Sequence, residues 1–192
     1  MSVQTHSVPS DALTLTPLSE AGAVEISALD LSRTLTPETV AATRRVLLYY
    51  PVLIFRGQSL SKDAQATFSA QFGELEGHIG KLSDGSTFPL VHTLTNLDGE
   101  GNVINMDVAK LNYFWHTDKS YHAVPSFVTI LHALAVPPEG GDTQFSNARM
   151  AYAALSSAMK ARLEGLTAVH DWVASRLNSD TSPATEEQKQ AR

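Results

Sequence analysis

The chain has 192 residues, the length of one domain able to bury roughly 70% of its unfolded surface, and its 43% hydrophobic and 18% charged content is globular in character. A net charge of −6 offers no electrostatic footprint for nucleic acid or an anionic membrane surface. Cysteine is absent, which excludes disulfides, thiolate catalysis and cysteine-based zinc or iron–sulfur centres.

Residues 1–12 read as a polar leader without the basic and apolar regions of a signal peptide. The longest apolar run, Val46 to Phe55, is interrupted by Pro51 and is too short to span a bilayer. A cytoplasmic location is the default expectation, with no membrane or nucleic-acid partner. Leu13 to Pro17 and Ala23 to Ile26 have the pattern of short strands broken at Ala21-Gly22. Thr36-Pro37-Glu38 is a helix start, with Thr as N-cap and Pro at the first helical position. That helix is expected to run through Arg44, Arg45 and Leu48 and to stop at Pro51. Val52 to Phe55 predicts a buried strand. Ser61 caps a second amphipathic helix carrying Ala64, Phe68 and Phe72 and ending at Gly73.

Between Gly77 and Lys110 the chain is rich in glycine and aspartate, with one strand expected over Leu90 to Thr95 and a turn-dense loop at Asp98 to Asn102. Ser126 to Val136 predicts a core strand, and Thr143 to Phe145 the start of another. Two short helices are expected over Ala148 to Leu155 and Ala158 to Leu163. Residues 179–192 carry no apolar residue larger than alanine or proline and read as a solvated tail.

The stretch with chemical content is Asn112-Tyr-Phe-Trp-His-Thr-Asp118. In an extended strand, side chains at i and i+2 emerge on one face, so His116 and Asp118 would converge. An imidazole nitrogen and a carboxylate oxygen are two of the three ligands of the 2-His-1-carboxylate triad that holds non-haem Fe(II). His-x-Asp alone is weak evidence, because the same tripeptide makes ordinary hydrogen-bonded pairs. Three further segments accompany it: Phe55-Arg-Gly-Gln58, Phe72-Gly-Glu-Leu75, and Gly140-Gly-Asp-Thr143 followed by Phe145-Ser-Asn-Ala-Arg149.

With these segments in this order, the chain resembles the Fe(II)/2-oxoglutarate-dependent dioxygenases of the taurine dioxygenase and chlorophenoxyacetate dioxygenase family, from about Leu13 to Ala191. The resemblance implies an α+β fold, a double-stranded β-helix (jelly roll) with flanking helices, here lacking its C-terminal strands. It places one dioxygenase portion over residues 13–178. It implies that His116 and Asp118 are catalytic and ligate iron, that Thr143 bonds the distal carboxylate of 2-oxoglutarate, and that Asn112 and His78 face substrate. The cofactors implied are Fe(II), 2-oxoglutarate as co-substrate, and O2.

The implied reaction hydroxylates a small organic acid, of sulfonate or aryloxyalkanoate type, and releases succinate and carbon dioxide. Asn96-Leu-Asp-Gly99, His116-Thr-Asp-Lys-Ser120 and Ser175-Arg176 lean towards the chlorophenoxyacetate branch. The family's second ligand His and its 2-oxoglutarate-binding Arg have no counterpart in these residues, so the expectation for the chain is an inactive, poorly folded truncation. A homo-oligomer remains open. Two alternatives stand beside this reading: a non-catalytic fragment or binding protein with a degenerate metal site, and a hydrolytic metal site built from His116, Asp118 and His122. The last lacks the His-x-His or His-Glu-x-x-His spacing of such enzymes.

Overall fold

The computed structural model describes residues 13–77, 86, 89–103, 115–177, 186 and 189. The chain divides into two compact units, Met1–Glu74 with Ile130–Leu166, and Leu75–Thr129 with Thr167–Arg192. The expected leader and almost all of the expected tail lie outside the described residues.

The first unit begins with a hairpin of β1 (Thr14–Ser19) and β2 (Ala23–Ser27), which pair antiparallel. Its turn depends on Gly22, held at φ +101 with its N–H bonded to the Ser19 carbonyl at 3.1 Å. The chain crosses over through α1 (Pro37–Leu47) to β3 (Val52–Ile54), which lies parallel to β2 and completes a three-stranded sheet in the order β1-β2-β3. Alternation along β2 turns Val24 and Ile26 inward, where they pack with Val46 of α1, while the intervening residues stay partly exposed. Burying such aliphatic side chains contributes roughly 1.5–3 kcal/mol each. Thr36 caps α1 through the Thr39 amide, and the buried Thr43 hydroxyl donates back to the Thr39 carbonyl at 2.9 Å.

A second cluster forms where α2 (Lys62–Ala70), capped by Ser61, brings Phe68 onto Leu31 and Phe72. Phe68 meets Phe55 and Phe72 edge to face, with centroids 6.1 and 5.2 Å apart. Phe55-Arg-Gly-Gln58 has a structural role in this unit. Arg56 pairs with Glu25 of β2 at 2.9 Å. Gln58 accepts from the Leu31 amide at 3.0 Å and donates to the Leu29 and Arg56 carbonyls at 2.9 and 3.0 Å. One amide side chain thereby partners three backbone groups in the irregular segments that follow β2 and β3.

The returning segment adds Ile130 to the α2 cluster, with Gln65 donating to its carbonyl at 3.2 Å, and His132 Nε2 contacts the Gln58 carbonyl at 3.3 Å. Two short helices follow, α3 (Ala148–Ala154) and α4 (Ser157–Leu163). Asn147 caps α3 and also donates to the Ala21 carbonyl at 2.8 Å, while Arg149 donates to the Leu48 carbonyl at the end of α1. These contacts account for the Asn-Ala-Arg signature as a tie between α3, the hairpin turn and α1.

The second unit contains a tight turn between Leu97 and Val103, which form an isolated antiparallel bridge, and α5 (Trp172–Leu177). The Asp98 carboxylate accepts the backbone amides of Asn102 and Glu100 at 2.8 and 2.9 Å. Those bonds, the Asn102 backbone and side chain foremost, hold it below the ordinary carboxylate value.

Three expected strands are not strands. Leu90 to Thr95, Ser126 to Val136 and Thr143 to Phe145 carry no ladder among the described residues, and no closed jelly roll is formed there. A strand exists only against a hydrogen-bonding neighbour. Leu134 and Val136 are 70% and 75% exposed, so the apolar pattern that predicted a core strand has no covering layer among the described residues. The other boundaries shift by a residue or a few: α1 ends at Leu47, α2 at Ala70, and α4 begins at Ser157.

Candidate metal site

The site lies in the second unit, on the irregular segment 115–117 and the turn that follows from Asp118. His116 and Asp118 are therefore not on a strand, as the i, i+2 argument assumed. The turn supplies the convergence instead. His116 Nε2 stands 3.4 Å from Asp118 Oδ1, with each side chain about half exposed. That separation exceeds the usual N–H···O distance of about 2.9–3.0 Å. Two cis ligands at about 2.1 Å from one octahedral ion stand about 3 Å apart. A neutral nitrogen and an anionic oxygen at this spacing suit a divalent first-row cation such as Fe(II).

The other carboxylate oxygen, Asp118 Oδ2, accepts from Thr129 Oγ1 at 3.1 Å. Lys119 continues the turn with φ +51, in the left-handed region. Its ammonium pairs with Glu76 Oε2 at 2.8 Å, and the same oxygen accepts from Ser126 Oγ at 2.6 Å. Burial pushes the Glu76 carboxyl up, but the Lys119 and Ser126 hydrogen bonds and the neighbouring positive charge outweigh it and hold the group below its ordinary value. Further along, Ser120 Oγ lies 2.7 Å from His170 Nδ1, and the Tyr121 ring packs against Trp172 with centroids 6.3 Å apart.

His122 packs against the Tyr121 ring and does not complete a ligand set. Among the described residues no group of three or more His, Asp and Glu side chains is placed to share an ion, which removes the hydrolytic reading built on His116, Asp118 and His122. Thr143 belongs to the first unit, exposed on the irregular stretch before α3. His78 and Asn112 lie outside the described residues. Thr129, Glu76 and Ser126 were not legible as parts of this site, since nothing in their local sequence ties them to the His116–Asp118 turn. No described helix is long and apolar enough to cross a membrane.

The family described as taurine catabolism dioxygenase TauD, TfdA family matches residues 14–192. The chain is 34% identical over 185 residues to the alpha-ketoglutarate-dependent 2,4-dichlorophenoxyacetate dioxygenase of Cupriavidus pinatubonensis, covering 92% of this chain and 63% of that protein. It is 31% identical over 165 residues to the alpha-ketoglutarate-dependent sulfate ester dioxygenase of Pseudomonas putida, covering 83% and 50% respectively. Among solved structures, AAD-2 in complex with Mn(II) and N-oxalylglycine superposes with a TM-score of 0.75 at 30% identity, over 93% of this chain and 62% of that one. The chain belongs to the TauD/TfdA dioxygenase family, whose members use Fe(II), 2-oxoglutarate and O2. It spans between half and just under two thirds of the length of these relatives.

Proposed function

We propose that this chain carries two of the three iron ligands, His116 and Asp118, of a 2-oxoglutarate-dependent dioxygenase acting on a small organic acid. The observation that carries this reading is the 3.4 Å approach of His116 Nε2 and Asp118 Oδ1 in a chain matched by the family over residues 14–192. Fe(II) held there would supply, with 2-oxoglutarate and O2, the oxidising chemistry that hydroxylates a C–H bond and releases succinate and carbon dioxide.

His116 contributes a neutral nitrogen, and Asp118 contributes one oxygen and one negative charge against the cation. Thr143 donates its hydroxyl to the distal carboxylate of 2-oxoglutarate, a charge-assisted bond. By the family resemblance, Asn112 and His78 are assigned to substrate recognition. The relatives' names support an aryloxyalkanoate, or a sulfonate or sulfate ester, as that substrate. The complete fold is a jelly roll, with residues 13–178 forming part of one dioxygenase domain. Among the described residues no third His, Asp or Glu joins His116 and Asp118 in a ligand set. By themselves the 192 residues bind the cation weakly and form no succinate.

The test is to titrate the 192-residue protein with Mn(II), following free Mn(II) by electron paramagnetic resonance, alongside His116→Ala and Asp118→Ala. Succinate is assayed in parallel with Fe(II), ascorbate, 2-oxoglutarate and an aryloxyacetate. Saturable binding lost in both variants supports the ligand assignment. Equal binding in either variant would remove that residue from the site, and iron-dependent succinate would overturn the expected inactivity.

A further inference from the structure

We infer that Thr129 and the Glu76–Lys119 ion pair are positioning residues that make Asp118 present a single carboxylate oxygen toward His116. The inference rests on the reading of His116 and Asp118 as metal ligands and concerns how their geometry is held.

A carboxylate on one rotatable bond can offer either oxygen, or both, to a cation. Here the two oxygens are differentiated. Oδ2 accepts from Thr129 Oγ1 at 3.1 Å, and Oδ1 is the atom that stands 3.4 Å from His116 Nε2. Binding through Oδ1 leaves Oδ2 with its hydrogen bond, whereas chelation through both oxygens would set the cation in competition with the Thr129 hydroxyl. Partners of this kind orient ligands and tune metal affinity.

The backbone that carries the carboxylate needs its own support. Lys119, directly after Asp118, is held at φ +51, a conformation that residues with a Cβ adopt at a cost and keep when their surroundings over-determine it. Its side chain is anchored 2.8 Å from Glu76, which Ser126 holds in turn at 2.6 Å. Without Glu76, the turn loses the anchor on its strained residue. The freed ammonium also becomes a competing cation one residue from Asp118.

The test compares Mn(II) affinity, by paramagnetic resonance, in the full 192-residue protein and in Thr129→Val, Thr129→Ser and Glu76→Gln. Urea unfolding midpoints are measured for each variant. The expected result is a roughly 10- to 100-fold weaker Mn(II) Kd in Thr129→Val, by analogy with other residues that orient metal ligands. Thr129→Ser should return to within a few-fold of wild type, and Glu76→Gln should weaken binding under conditions where its urea unfolding curve shows it still fully folded. Binding that is lost in Asp118→Ala but unchanged in both Thr129→Val and Glu76→Gln would overturn this inference alone. A wild-type chain that takes up no Mn(II) would overturn both the ligand assignment and this inference.

Discussion

Asn147 Nδ2 donates to the Ala21 carbonyl at 2.8 Å, while Asn147 Oδ1 accepts the Arg149 and Met150 amides that open α3. One side chain thus serves as helix cap and as tie to a hairpin turn remote in sequence. Asn147→Ala removes both functions and should destabilise the protein by about 1–2 kcal/mol. Asn147→Asp keeps the cap and loses only the donor, so it should recover part of that loss. Urea denaturation of both variants reads the difference, and an unchanged midpoint in Asn147→Ala would show that the tie contributes nothing.

Gly22 sits at the same junction. A Cβ there would approach Pro51 Cδ to 2.9 Å and Asn147 Nδ2 to 3.2 Å, on a backbone at φ +101. Gly22→Ala meets both strain and collision and should cost more than about 1 kcal/mol. Thermal unfolding checks this, and a variant as stable as wild type would mean that the turn is free to rearrange.

Gln58 satisfies the Leu31 amide and the Leu29 and Arg56 carbonyls together. Gln58→Ala leaves the part-buried Leu31 amide and Leu29 carbonyl without that partner and should cost about 1–3 kcal/mol. Gln58→Glu keeps the acceptor for Leu31 and loses the two donated bonds, so it also destabilises. Amide hydrogen exchange gives a local readout. Leu31 protection should fall in the alanine variant and persist better in the glutamate one, and protection equal in all three proteins would rule out this role.

Glu76 gives a pH dependence with a definite sign. Its folded carboxyl lies below the ordinary value of 4.5 despite partial burial, because Lys119 and Ser126 stabilise the anion. A depressed carboxyl contributes stability that is complete above its unfolded value and is lost as pH falls through the folded one. The stability difference between wild type and Glu76→Gln should therefore be largest near neutrality and shrink on acidification below the ordinary glutamate range. A difference that stays flat from neutral to acid pH would contradict the ion pair.

Local signals in the chain determined the early elements. Thr36-Pro37 and Ser61 start helices because a hydroxyl beside a helical run has orphan amides to cap, and Pro is preorganised for the first turn. Val52 to Ile54 forms a strand because its apolar, β-branched run has β2 beside it. The same kind of run over Ser126 to Val136 does not, since an apolar pattern states a preference for burial and only a neighbouring backbone makes a ladder. The Phe-Arg-Gly-Gln and Asn-Ala-Arg segments marked the family by sequence, but their physical work became visible only when Gln58 and Arg149 met backbone groups far from them in the chain.

The candidate site divides in the same way. The spacing of His116 and Asp118 was readable, because proximity in sequence limits how far two side chains can diverge. A turn, not a strand, brings their atoms to 3.4 Å, with Lys119 of that turn in the left-handed region and paired with Glu76. Thr129 reaches Asp118 from eleven residues downstream through a single hydroxyl. No periodicity or motif encodes such a contact, because a hydrogen bond between distant residues is set by where the folded backbone places donor and acceptor, and that is a property of tertiary structure alone.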